Sequence, residues 1–92
     1  MTSAELYAKA RDLEALADDV EVSVDAAWAV ARSPEWECAN ATDVRGALDQ
    51  WRSAARSSAR NLRDEASRVR GEARKAEDKE QEALDAQTKQ PQ

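Results

Sequence analysis

Two long stretches of this chain carry apolar residues at alternating steps of three and four positions. Such steps place the apolar side chains on one stripe of an α-helix. The first stripe is Leu6, Ala10, Leu13, Ala17, Val20, Val24, Ala27 and Ala31. The second stripe is Ala41, Val44, Leu48, Trp51, Ala55, Ala59, Leu62, Ala66, Val69, Ala73 and Ala76, with one extra step of four between Ala55 and Ala59. The pattern predicts two long helices that pack along these stripes.

The boundaries of the two helices follow from capping and breaking residues. Thr2 and Glu5 have the spacing of a capping box, which predicts that the first helix begins near Ser3. Pro34 disfavours helical geometry at the residue before it and ends this helix. We therefore predict an all-α fold, with an antiparallel two-helix hairpin over residues 1–80. Its parts are helix one at about 3–32, a connector at 33–38 and helix two at about 39–81, followed by a frayed or disordered tail at 81–92.

The short connector also predicts which residues of the two helices face each other. A turn centred near Trp36 places Val24 beside Leu48 and Val20 beside Trp51. The stripes consist mostly of alanine, and alanine buries little apolar area, so an isolated hairpin of this kind is expected to be marginally stable. Association of two hairpins into a four-helix bundle is the expected remedy.

Charge is divided unevenly between the two predicted helices. The net charge is −5, yet residues 1–37 carry nine acids and three bases, whereas residues 44–75 carry nine bases and four acids. We expect the acidic helix to face the basic one and to help set the register of the hairpin. The run Arg52, Arg56, Arg60 and Arg63 also allows a nucleic-acid-binding face. The acidic first helix and the overall charge instead favour a solvated face or a contact with helix one, and no nucleic-acid partner is predicted.

The residue types exclude most catalytic chemistry. The chain has no histidine, which is the commonest general base and metal ligand, and Cys38 is its only cysteine. No enzyme activity, cofactor or metal site is predicted. The N-terminal residues do not have the pattern of a secretory signal, and no run is apolar enough to span a membrane. We expect a chain that starts in the cytosol and whose export, if any, uses no cleaved signal.

The connector and the start of helix two carry a family resemblance. The sequence Trp36-Glu37-Cys38 is followed by Ala41, Val44, Arg45 and Leu48. This arrangement resembles the WXG family of small helical hairpins handled by type VII secretion systems, in which a Trp-x-Gly turn precedes a helix with Ala, an aromatic or aliphatic residue followed by Arg, and then Leu. The resemblance implies a hairpin that pairs with itself, with a related hairpin or with a larger secreted cargo.

The chain departs from that family's pattern at two places. Cys38 stands where the turn motif has Gly. The family's export signal, Tyr-x-x-x-Asp/Glu, has its nearest match at Ala76 to Glu80, with Ala76 in the Tyr position. The resemblance therefore implies a member that relies on a partner to carry the export signal.

The leading functional hypothesis is a hairpin adapter that acts by helix–helix association. Trp36 is expected either to plug the end of the hairpin or to be presented to a partner, and Trp51 is the stronger of the helix-borne anchors because large aromatics anchor interfaces. The full set of candidate partner-binding residues is Trp36, Cys38, Trp51, Val44, Leu48, Leu13, Val20, Val24 and Leu62. The alternative is a structural or regulatory coiled-coil module with no link to secretion.

Overall fold

The fold is a hairpin of two helices. The computed structural model describes residues 1–32 and 41–89, in which α1 covers Ser3–Ala31 and α2 covers Ala41–Lys89. The two helices pack antiparallel along the length of α1, and the described residues contain no strand, so the predicted all-α hairpin is confirmed. The predicted connector at 33–38 lies outside the described residues.

The start of α1 matches the predicted cap. The backbone of Thr2 is extended, and its Oγ1 accepts a hydrogen bond from the Glu5 backbone N–H at 3.2 Å. The first backbone N–H groups of a helix have no partner within the helix, and a Thr side chain at this position satisfies one of them. The cap fixes where α1 begins, at the open end of the hairpin.

The seam between the helices consists of small side chains. In α1 the buried residues recur every seven positions, and the intervening stripe positions are half-buried, as the spacing predicts. The buried residues of both helices are Ala10, Ala17, Val24, Ala31, Ala55, Ala59, Ala66, Val69 and Ala73. One cluster among them joins Ala10 to Ala66 and Val69, with Leu6 and Leu13 packed against it. No polar side chain among the described residues is fully buried, so the fully buried part of the seam is apolar.

The seam of α2 differs from the prediction at its first turns. Val44 and Trp51, predicted on the stripe, are 38% and 51% exposed, whereas Arg45 and Arg52 are half-buried one position later. The stripe therefore alternates steps of three and four from Arg45 to Glu80 without the predicted interruption at Ala55. Arginine can occupy such positions because its aliphatic stem covers apolar surface while its guanidinium reaches a polar partner.

The register of the hairpin also differs from the prediction. Ion pairs and hydrogen bonds join position 25 to 52, position 14 to 70 and position 3 to 80. Relative to the predicted pairing of Val24 with Leu48, α2 is displaced by about seven residues, or roughly 10 Å. A seam that repeats every seven residues fits equally well after such a displacement, so apolar spacing alone cannot choose between the two registers. In the predicted register Asp49 would face the acidic Glu21 and Asp25, which disfavours it.

The C-terminal part of α2 is longer than predicted. The helix continues to Lys89 rather than ending near Gln81, and the side chains of residues 81–88 are all exposed. This segment contains good helix formers and an i,i+4 hydrogen bond from Gln81 Nε2 to Asp85 Oδ1 at 3.0 Å. Local helix propensity therefore carries the helix beyond the end of the seam, and the tail predicted for residues 81–89 is helical.

The hairpin is a rod rather than a globule. Its extents are 82 × 17 × 14 Å and its radius of gyration is 22.0 Å, compared with about 12 Å for a globular domain of this length. Its accessible surface is 6800 Å², whereas a globular monomer of this mass exposes about 5,300 Å². The excess of about 1,500 Å² is surface that two helices alone leave uncovered.

Candidate protein-binding surface

Most of the predicted partner-binding residues belong to the seam inside this chain. Val24 is buried and the others of this group are half-buried between α1 and α2. The group is Leu13, Val20, Val24, Leu48 and Leu62. Trp36 and Cys38 lie outside the described residues. A partner that binds the intact hairpin must therefore use the flanks of the seam rather than the seam itself.

One flank of the seam begins at a cluster around Trp28, near the turn end of the hairpin. The indole Nε1 donates a hydrogen bond to Asp49 Oδ1 at 2.5 Å, and Arg32 Nη2 donates to Asp49 Oδ2 at 2.6 Å. The guanidinium of Arg52 lies 4.1 Å from the centroid of the Trp28 ring and donates from Nε to Asp25 Oδ1 at 2.8 Å. These bonds from Trp28 and Arg32 hold the pKa of Asp49 below its ordinary value. The cluster ties the turn-proximal part of α2 to α1.

The same flank continues as ion pairs along the hairpin, and we call it the ion-pair flank. Its α1 residues are Glu14, Asp18, Glu21 and Asp25, and its α2 residues are Asp49, Arg56, Arg63 and Arg70. Arg63 donates to both Asp18 and Glu21, and Arg70 Nη2 donates to Glu14 Oε1 at 2.5 Å. These bonds raise the pKa of both guanidinium groups. The contact with helix one that was predicted for the arginine run is thus present at Arg63, and it is present at Arg52 in the seam.

Positions on the two helices show which side of the seam each residue occupies. Asp18 follows the buried Ala17 by one position, and Arg63 follows Leu62 by one position. Residues one position after a seam residue therefore meet on the ion-pair flank, and residues one position before a seam residue share the opposite side. Lys9 and Glu65 each stand directly before a seam residue. The pKa of Glu65 is lowered chiefly by the hydrogen bond from Arg68 and to a smaller extent by the charge of Lys9, which agrees with their lying on the same side.

The opposite side of the seam, which also carries Lys9 and Glu65, leaves four large apolar side chains exposed. Leu16 and Val30 of α1, and Val44 and Trp51 of α2, all stand one position before a seam residue, and we call these four residues the apolar flank. Their exposed fractions run from 38% at Val44 to 64% at Val30. Exposed large apolar residues that share one side of a helical hairpin are typical of an interaction surface. Sequence spacing assigned Val44 and Trp51 to the seam and so missed this surface.

The same side carries a groove at the open end of the hairpin. The groove encloses about 570 Å³, with Met1, Leu6 and Ala76 as its apolar lining. The charged residues at its rim include Glu72, Lys75 and Lys79. Each of these three stands one position before a seam position of α2, as Trp51 does. The groove and the apolar flank therefore lie along one side of the molecule.

The two residues that the family resemblance matches to an export signal, Ala76 and Glu80, lie at this end of α2. Ala76 is half-buried in the groove, and Glu80 is joined to the first turn of α1. The backbone N–H and the hydroxyl of Ser3 donate to the two carboxylate oxygens of Glu80 at 2.8 and 2.7 Å. These bonds lower the pKa of Glu80. The acidic residue of the signal is thus occupied by a contact within the hairpin, and it closes the open end.

Neither metal binding nor membrane insertion is indicated for the part of the chain that is described. Within residues 1–32 and 41–89, no group of three or more acidic or cysteine side chains is placed to hold a metal ion. Over the same residues, neither helix has a segment both long and apolar enough to cross a bilayer.

The chain matches no protein-family model, no curated protein and no solved structure.

Proposed function

We propose that this chain is a small helical-hairpin adapter of the type VII secretion kind, which acts by binding the helices of another hairpin or of a cargo protein. Its binding surface is the apolar flank. The observation that carries the proposal is the division of the molecule into two unlike sides. One side is closed by ion pairs within the chain, and the other leaves Leu16, Val30, Val44 and Trp51 exposed.

The surface area of the hairpin supports an associating protein. The excess of about 1,500 Å² over a globular monomer exceeds the roughly 800 Å² that each partner buries in a standard stable interface. A helix pair that docks along the apolar flank would bury part of this area and complete a four-helix arrangement. The rod shape gives the flank the length that such docking needs.

The residue pattern shared with the WXG family supports the link to secretion. Arg45, which matches the Arg of that pattern, donates from Nε to the backbone oxygen of Ala31 at 2.7 Å. The last carbonyl groups of a helix have no partner within the helix, so this bond satisfies one of them and ties the start of α2 to the end of α1. Arg45, which matches the Arg at the start of the second helix in the family pattern, thus joins the two helices beside the connector.

An export assay in the native host tests the proposal. The tagged chain is followed in cells and in culture medium, with the type VII secretion system intact or disrupted. We expect export, alone or with a partner, only when the system is intact, and we expect Trp36→Ala to reduce it. Val22→Ala, at an exposed position on the outer face of α1, is the matched control and should leave export unchanged.

Retention in the cell under both conditions would contradict the secretion role. If the retained chain still bound a helical partner and was indifferent to Trp36→Ala, it would be the structural or regulatory coiled-coil module of the alternative hypothesis.

A further inference from the structure

We infer that the apolar flank binds a second copy of this chain in an antiparallel arrangement, with Trp51 of each copy seated in the groove of the other. This inference rests on the proposed function, because it names the partner and the contact for helix–helix association. The groove is lined by Met1, Leu6 and Ala76.

The first support is that Trp51 and the α2 residues of the groove lie on the same side of α2. Trp51 and Lys79 are separated by four heptads, so they occupy the same position around α2. A two-fold axis perpendicular to the rod reverses the direction of the second copy while keeping this side facing the first. In such a two-fold dimer every contact between two different residues occurs twice, so Trp51 of each copy meets the groove of the other.

The second support is the position of Leu16. Trp51 and the Ala76–Lys79 part of the groove are roughly 40 Å apart along α2. The midpoint between them falls near residues 63–65, at the level where Arg63 contacts Asp18 of α1. Leu16 stands at this level on the same side and is half exposed. The arrangement that seats Trp51 in the groove therefore brings Leu16 against the Leu16 of the second copy. It also places the two Glu65 carboxylates, each bound to Arg68 of its own chain, at the same level.

The third support is the chemistry of the groove. Its lining includes the apolar residues Met1, Leu6 and Ala76, and its rim carries Lys75 and Lys79 together with Glu72, Asp78 and Glu82. An indole fills an apolar recess well and attracts an ammonium group over its face. Trp51 is the only aromatic residue exposed on the described part of this side, so it is the side chain that this groove fits.

A mixed crosslinking experiment tests the pairing directly. Two single-cysteine chains are prepared in a Cys38→Ser background, one with Trp51→Cys and one with Lys79→Cys, and the two are mixed under mild oxidation. We expect a covalent dimer that contains one chain of each kind. Trp51→Cys alone should not crosslink, because the two copies of residue 51 would lie roughly 40 Å apart. A crosslink of Trp51→Cys with itself, or none in the mixture, would overturn the arrangement.

A second measurement uses the full chain with its own cysteine in reductant. Trp51→Ala should weaken the dimer by at least about thirtyfold, as expected for an aromatic anchor that fills a pocket of its partner and is lost at two places in the dimer. Leu84→Ala, an exposed apolar residue outside the groove, should change it little. Circular dichroism should show both variants as helical as the parent chain, because both residues are exposed.

The outcomes separate this inference from the proposed function. A chain that is exported through the secretion system but is monomeric, or whose dimer ignores Trp51→Ala, would overturn the second-copy arrangement and leave the adapter role standing. A chain that dimerises through Trp51 but is retained in the cell would support the arrangement and contradict the secretion role.

Discussion

The clearest test of the seam is the substitution Val69→Ala. Val69 is 1% exposed and packs in the cluster with Ala10 and Ala66, against Leu6 and Leu13. The change removes two buried methyl groups, worth about 0.8 kcal/mol each, and the cavity left behind raises the loss to about 2–3 kcal/mol. Alanine is the better helix former by about 0.5 kcal/mol. The net loss in the free energy of unfolding should be about 1.5–2.5 kcal/mol.

Val22→Ala is the matched control, because it makes the same chemical change at a residue that is 68% exposed. It should leave stability unchanged or raise it slightly. The assay is thermal and urea unfolding followed by circular dichroism at one protein concentration, since association makes the midpoint depend on concentration. A loss of this size lowers the midpoint of a domain of this length by roughly 10 °C. If the two variants unfold within about 0.5 kcal/mol of each other, Val69 is not part of a packed seam.

Three further predictions follow from the ion-pair flank and the turn end. Because hydrogen bonds lower the pKa of Asp49 in the folded chain, its contribution to stability should be present at neutral pH and be lost as pH falls below about 4, and Asp49→Asn should flatten the fall of the melting temperature in that range. Arg45→Ala should speed amide hydrogen exchange in the last turn of α1 and leave the centre of α1 unchanged, whereas equal exchange in both variants would show that this bond does not secure the helix end. In the cysteine-free background used above, the pair Glu14→Cys with Arg70→Cys should be bridged within one chain by a short dithiol-reactive linker, whereas Glu14→Cys with Arg63→Cys should not; the reverse result would establish the register predicted from the connector.

The sequence predicts the hairpin because the apolar spacing in α1 and in most of α2 has no competing interpretation. At the start of α2 two frames compete. One uses Val44 and Trp51 and needs an interruption at Ala55, and the other uses Arg45 and Arg52 and needs none. A search for apolar residues favours the first, whereas the structure adopts the second because Arg52 finds Trp28 and Asp25 as partners. The uninterrupted spacing was the signal that could have identified it.

Register could be predicted only in part, for a related reason. A seam that repeats every seven residues fits in several registers, and only the charges on its flank distinguish them. Asp49 is one of the residues that distinguish the two registers. In the observed register it accepts hydrogen bonds from the Trp28 indole and the Arg32 guanidinium, whereas in the predicted register it would face two carboxylates. The groove depends on where Met1 and Leu6 meet α2, so it could not be located before the register was known.

The most direct test of self-association through the apolar flank is the solution mass of the purified chain, measured by light scattering at micromolar concentration with reductant. One chain has a mass of 10.2 kDa. We expect a mass of twice this value, because the apolar flank of each copy covers that of the other. A mass of one chain at every concentration would contradict a self-associating hairpin.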